Sequence, residues 1–208
     1  MPTAASELLS PNLLDEVSIL VVAASSPAAG GKQDESFAHA HAVGDACERL
    51  GSHVVVCEYD GAVEEAAMDR AVASATAESE GLDMLVVDGV ALFASGGLHA
   101  CLEGAWNATR TVVNHAILPA GRGGRIVYLA PPPGADRSKI VQQAGAARAG
   151  LENLARTLSV EWARHRITVV TIALGDTTAP GEAAALTAYL ASPAGAYFSG
   201  CLLDLRGV

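Results

Sequence analysis

The residues able to do chemistry in this 208-residue chain are few and scattered. His39 and His41 invite a metal reading, since imidazole nitrogens are common zinc ligands. Two positions apart on a helix, however, they project to different faces, and no third ligand stands at a matching spacing. They read as solvated helix residues, and no metal is expected. Asp60 follows an apolar run, where an acid can hold a ribose hydroxyl; with no glycine turn nearby it reads as a surface acid. Gly30, Gly31 and Lys32 offer either a displaced anion nest or a plain loop, and the loop is the simpler reading. Tyr59 and Tyr128 carry phenols that could trade a proton. Tyr128 lies inside a strand-like run and reads as core. The four cysteines, Cys47, Cys57, Cys101 and Cys201, are widely spaced and lack a CxxC pair, so they read as reduced core thiols of a cytosolic protein.

These side chains must be positioned by alternating strands and helices. Short β-branched runs predict strands over residues 17–22, 53–57, 83–87, 125–129, 167–172 and 201–205. Between them, helical patterns occupy residues 35–50, 63–80, 98–118, 143–165 and 181–191, with Gly51 and Gly81 as stops and Pro119 with the turn 121–124 as another. The longest pattern places Leu151, Leu154, Ala155, Leu158 and Trp162 on one face, while Glu152 and Arg156 can pair on the solvated side. Such alternation implies a doubly wound parallel sheet of about six strands with helices on both faces. Residues 1–15 show no period and read as a poorly ordered arm or a partner-contacting extension, and residues 16–208 as one domain.

Composition narrows the partners. Half the residues are hydrophobic and only 4% aromatic, as expected of buried parallel strands filled with Ala, Val, Leu and Ile. A formal net charge of -10 repels phosphate backbones and anionic lipid, which argues against nucleic acid and membrane surfaces. No leader pattern and no apolar run of spanning length is evident, so a cytoplasmic protein is expected.

The second half resembles the short-chain dehydrogenase/reductase family, in particular its 3-oxoacyl reductase-like branch. The resemblance rests on GRIVYLA at residues 124–130, AARAGLENLARTLSVEWA at residues 146–163, and YFSG leading to Asp204. It implies a Rossmann-like fold, here one strand-helix unit shorter than usual, because residues 51–81 hold a single unit where the family has two. It also implies an active site of a Tyr acting as acid or base, a Lys one helical turn later and a Ser upstream. Laid on that pattern, the Tyr position holds Ala144, the Lys position Arg148 and the Ser position Pro131. Neither Ala144 nor Pro131 has a proton to give, and a guanidinium is not interchangeable with an ammonium. The relay Asn of the family falls on Trp106 or Asn107, depending on a one-residue choice of alignment. The phosphate-binding turn after the first strand reads VAASSPAA over residues 22–29, placing Ala23, Pro27 and Ala29 where glycines would let a backbone approach a pyrophosphate. The asparagine-rich turn of the family has become VVDGV at residues 86–90, and the stretch from Leu174 to Glu182 is too short for a substrate lid.

The resulting expectation is a catalytically degenerate family member, with no cofactor, that associates with itself or with an active paralogue. Trp106, Leu151, Leu154, Leu158 and Trp162 are its candidate interface, because the corresponding family helices form a four-helix bundle between subunits. One alternative is an oxidoreductase using NAD(P) in an altered site, with Arg148 and Asn107 as remnants and Tyr59 or Tyr128 as acid. Another is a small-molecule binder whose uncovered pocket takes an acyl-CoA or polyketide-like ligand.

Overall fold

A computed structural model describes residues 12–25, 37–60, 65–77, 81–133 and 139–206. Strand β1 (Ser18–Ser25) is followed by helix α1 (Ala38–Glu48), β2 (His53–Asp60), α2 (Glu65–Thr76), β3 (Met84–Asp88) and α3 (Gly89–Val112). The second half runs through β4 (Gly124–Ala130), α4 (Lys139–Glu161), β5 (Ile167–Leu174), α5 (Pro180–Ala191) and β6 (Leu202–Leu205). The strands form one six-stranded sheet in the order β2-β1-β3-β4-β5-β6, every pair parallel. Compared with the common 3-2-1-4-5-6 order, no strand lies outside β2 among the described residues, in keeping with a missing unit on that side.

Strand periodicity builds two cores. Leu20, Val22, Leu85, Val87, Ile126 and Tyr128 face α2, α3 and α4, whereas their neighbours Ile19, Val21, Met84, Val86, Val127 and Leu129 face α1 and α5. Each fully buried aliphatic side chain contributes roughly 1.5–3 kcal/mol. Both faces of the central strands are covered, so their sequences are continuously apolar instead of alternating.

Several boundaries differ from the sequence expectation. β1 continues to Ser25 because β2 supplies parallel partners as far as Asp60, with Ala23 opposite Glu58. Ala23 is therefore a buried strand residue and not part of a phosphate turn; Pro27, Ala29 and the Gly30–Gly31–Lys32 segment lie outside the described residues. Leu14 is completely buried, its N–H donating to the Leu50 carbonyl at 2.8 Å, so the domain takes in the end of the proposed arm from residue 12 onward. α3 starts well before residue 98, with Asp88 as its N-cap. Gly96 and Gly97, just before the expected start, form a kink inside it, Gly97 having φ 69°. α3 then passes through a π-helical turn, Val113–Ile117, before Gly121 in the left-handed region closes it.

Candidate functional site

β1 and β3 are neighbours whose following helices leave on opposite faces of the sheet. In open parallel sheets the crevice at such a switch point, beyond the carboxyl ends of the strands, is where ligands bind. Asp88 ends β3 there. It is 0% exposed, and its Oδ1 accepts the N–H groups of Val90 at 3.0 Å and Ala91 at 3.1 Å. The amide of Ala40, in the first turn of α1, also acts on this carboxylate. Oδ2 nevertheless has no partner of good hydrogen-bond geometry among the described residues, and neither does the buried Nε2 of His39. Burial pushes the Asp88 carboxyl well above the usual range, opposed by the charge of His39 and by the amides of Ala91, Val90 and Ala40. Below it, the Cys101 thiol donates to the Gly89 carbonyl at 3.4 Å, and burial together with the Asp88 charge lifts it to about 12. That thiol is no nucleophile at neutral pH. Gly89 is required for this packing: a Cβ there would stand 2.5 Å from the Leu129 carbonyl oxygen.

On the other side of the switch point, β4 delivers Pro131, which is buried. Ala144 is buried on α4, and Arg148 follows one turn later with its Nη1 enclosed and without a hydrogen-bond partner among the described residues. Hydrogen bonds from Arg206 hold the Asp204 carboxyl down to about 2, with the Arg148 charge the smallest contributor. Residues 175–179 form a closed turn in which Thr178 Oγ1 accepts the Gly175 N–H and donates to the Leu205 carbonyl, both at 2.8 Å. This turn passes directly into α5 with no intervening lid.

The remaining candidates separate clearly. Tyr128 is fully buried, its hydroxyl 2.8 Å from Thr109 Oγ1, and burial raises its pKa further; this removes it as a recruited acid. The side chains of Tyr59 and Asp60 lie outside the described residues. His41 does not act with His39: its Nε2 pairs with Glu58 at 3.0 Å. No group of three or more metal-ligating side chains occurs among the described residues. Cys47 and Cys101 are buried thiols, while Cys57 and Cys201 are half-buried. Of the interface candidates, Trp106 is 42% exposed, but Leu151 and Leu158 are at 0% and 2%. Those two cannot reach a partner, because α4 turns them toward the sheet. Leu154 and Trp162 are half-buried against the same core, and Asn107 is half-buried on α3.

A cleft of about 490 Å³ opens at the opposite, amino-terminal end of the strands. Its guanidiniums are already engaged: Arg122 with Asp83 at 3.3 Å, Arg125 with the carbonyls of Leu190 and Ala191, and Arg166 with the Gly121 carbonyl at 2.7 Å. It lies far from the switch point and is read as structural. In the sequence Asp88 stands out only as part of the altered turn VVDGV at residues 86–90. The available signal was an acid directly after an apolar strand and before a helix-opening glycine, the position of an N-cap.

A doubly wound parallel sheet with a switch point between β1 and β3 defines a Rossmann-like α/β protein. The family profile described as short chain dehydrogenase matches residues 32–189, and the chain belongs to that family. Among solved structures it is similar to the citronellol catabolism dehydrogenase AtuB of Pseudomonas aeruginosa PAO1, with a TM-score of 0.68, 22% identity, and 96% of this chain and 97% of that one covered. It is also similar to a doubly substituted short-chain dehydrogenase/reductase of Serratia marcescens, with a TM-score of 0.68, 17% identity, and 93% and 97% covered. At these identities the likeness establishes the fold. No curated protein matches the sequence. None of the described helices is long and apolar enough to cross a membrane.

Proposed function

We propose that this chain is a non-catalytic member of the short-chain dehydrogenase/reductase family that works by association, with itself or with an active paralogue. One observation carries the reading: the positions that resemble the family's phenol and hydroxyl hold Ala144 and Pro131, both buried and neither with a proton to transfer. The phenol of Tyr128, one candidate replacement, is sealed against Thr109. The sequence around the end of β1, with Ala23, Pro27 and Ala29 where the family pattern has glycines, supports the reading that no dinucleotide is held. Trp106, exposed on α3, is the anchor left for a partner surface. A reducing cytoplasm suits the free thiols.

Native mass spectrometry of the purified chain, alone and mixed with a family member that keeps the Tyr, Lys and glycine turn, tests association. A monomer under both conditions removes the proposal. The family match itself favours a second reading, an NAD(P)-dependent oxidoreductase with an altered site. Calorimetric titration showing micromolar dinucleotide binding by the unaltered chain would select it.

A further inference from the structure

We infer that the outer edge of β2 docks β2 of a second copy of this chain, the two strands pairing antiparallel across a two-fold axis at Val56. The inference rests on the reading that the chain works by association, and it names a face for self-association other than the Trp106 surface.

β2 is an eight-residue strand at the end of the sheet, with β1 on one side and no strand on the other among the described residues. The His53 N–H donates to the Val17 carbonyl at 3.0 Å, so His53 turns its backbone toward β1. Successive strand residues turn theirs to opposite sides, and Val54, Val56 and Glu58 therefore present N–H and C=O groups outward in an evenly spaced row. Such a row is a template for another strand, and edges left to solvent are normally kept short, charged or broken by proline. The opposite edge fits that description: β6 has four residues and carries the ion pair of Asp204 with Arg206 at its end. Over residues 53–57 β2 reads HVVVC, with no Lys, Arg or Pro. Its side chains pack under helices on both faces, Val54 and Val56 toward α1 and Val55 toward α2. All three nevertheless stay half-buried, whereas their register partners Ile19, Leu20 and Val21 in β1 are fully buried. The remaining exposure lies along the open edge. A second copy is the matching occupant because it offers the same row of groups, and two identical edges close on each other about a two-fold axis without propagating. Outward-facing residues must meet outward-facing residues. With the axis at Val56, Val56 meets Val56 of the partner subunit, Val54 meets the partner's Glu58, and residues 53–59 overlap in full. The two Glu58 carboxylates then stand four residues apart, roughly 13 Å along the strand. Each is also paired with His41 of its own chain at 3.0 Å.

Val56→Pro removes one outward N–H and leaves the ladder with β1 intact, since proline is tolerated where the N–H of an edge strand faces solvent. Light scattering behind size exclusion on the full chain should show the mass halved by Val56→Pro, with the circular dichroism of the folded protein retained. Trp106→Ala should leave this pairing in place, its own loss being confined to contacts made through α3. Amide exchange followed residue by residue gives a second readout that does not depend on a variant folding. Val54, Val56 and Glu58 should exchange at least about tenfold more slowly in concentrated, associated protein than in dilute protein, whereas Val55, bonded to β1, should change little. A folded Val56→Pro protein of undiminished mass, or outward amides that exchange alike at both concentrations, overturns the inference and leaves association to another face. A chain that stays monomeric alone yet binds an active family member also overturns it, while the reading of association stands. A chain that is monomeric under both conditions removes both.

Discussion

Replacing Leu151 by Ala separates the core from the partner surface. Leu151 is completely buried on α4, and its Cδ1 lies 2.9 Å from where a Cβ would stand on Gly89. Truncation to alanine leaves a cavity between α4 and the start of α3 and should cost about 2–5 kcal/mol, the usual range for a buried leucine. For a domain of this length each kcal/mol lowers the melting temperature by about 2–4 °C, so a fall of roughly 5–20 °C is expected. Trp106→Ala, at a residue 42% exposed, should cost only about 1 kcal/mol within one chain. Its effect should appear instead as a loss of association. Scanning calorimetry and light scattering behind size exclusion, run on both variants at two concentrations, give the two readouts. A Leu151→Ala protein that melts within about 2 °C of the unaltered chain but dissociates would refute the assignment of this residue to the core.

Asp88 should make stability fall as pH rises. Its carboxyl is raised in the folded chain, so above the ordinary aspartate pKa the folded state retains a proton that the unfolded state has lost, and stability declines through that window until the folded group ionises. Urea midpoints of Asp88→Asn measured from acid to neutral pH should lack this decline; an unchanged pH profile would mean the buried carboxyl is not titrating. Tyr128→Phe should cost about 1–3 kcal/mol by leaving the buried Thr109 hydroxyl unpaired, and Tyr128→Phe with Thr109→Val should recover part of that loss in chemical denaturation. Gly89→Ala would force a Cβ to within 2.5 Å of the Leu129 carbonyl and should lower expression of soluble protein or the melting temperature more than Gly145→Ala, where a Cβ meets nothing within 4 Å.

Sequence alone determined the architecture and which positions carry no transferable proton. Alternating β-branched runs and amphipathic stretches dictate a parallel sheet covered on both faces, since each element must hide its apolar side. Ala144 and Pro131 lack a transferable proton whatever their surroundings. The fate of individual side chains was decided only by tertiary contacts. Helical spacing put Leu151, Leu154, Leu158 and Trp162 on one stripe, but it could not say whether that stripe met the sheet or a second chain; the packed α4 turns Leu151 and Leu158 inward. Ala23 looked like the beginning of a turn until β2 was seen to offer it a partner in Glu58. Asp88 carries an ordinary capping signature in sequence, and its significance comes from α1, whose first turn is 48 residues upstream at Ala40 and reaches the same crevice only through the crossover of the sheet. Local pattern reports which groups a segment has, whereas burial and electrostatic environment depend on segments far apart in the chain, and those meet only when the fold is complete.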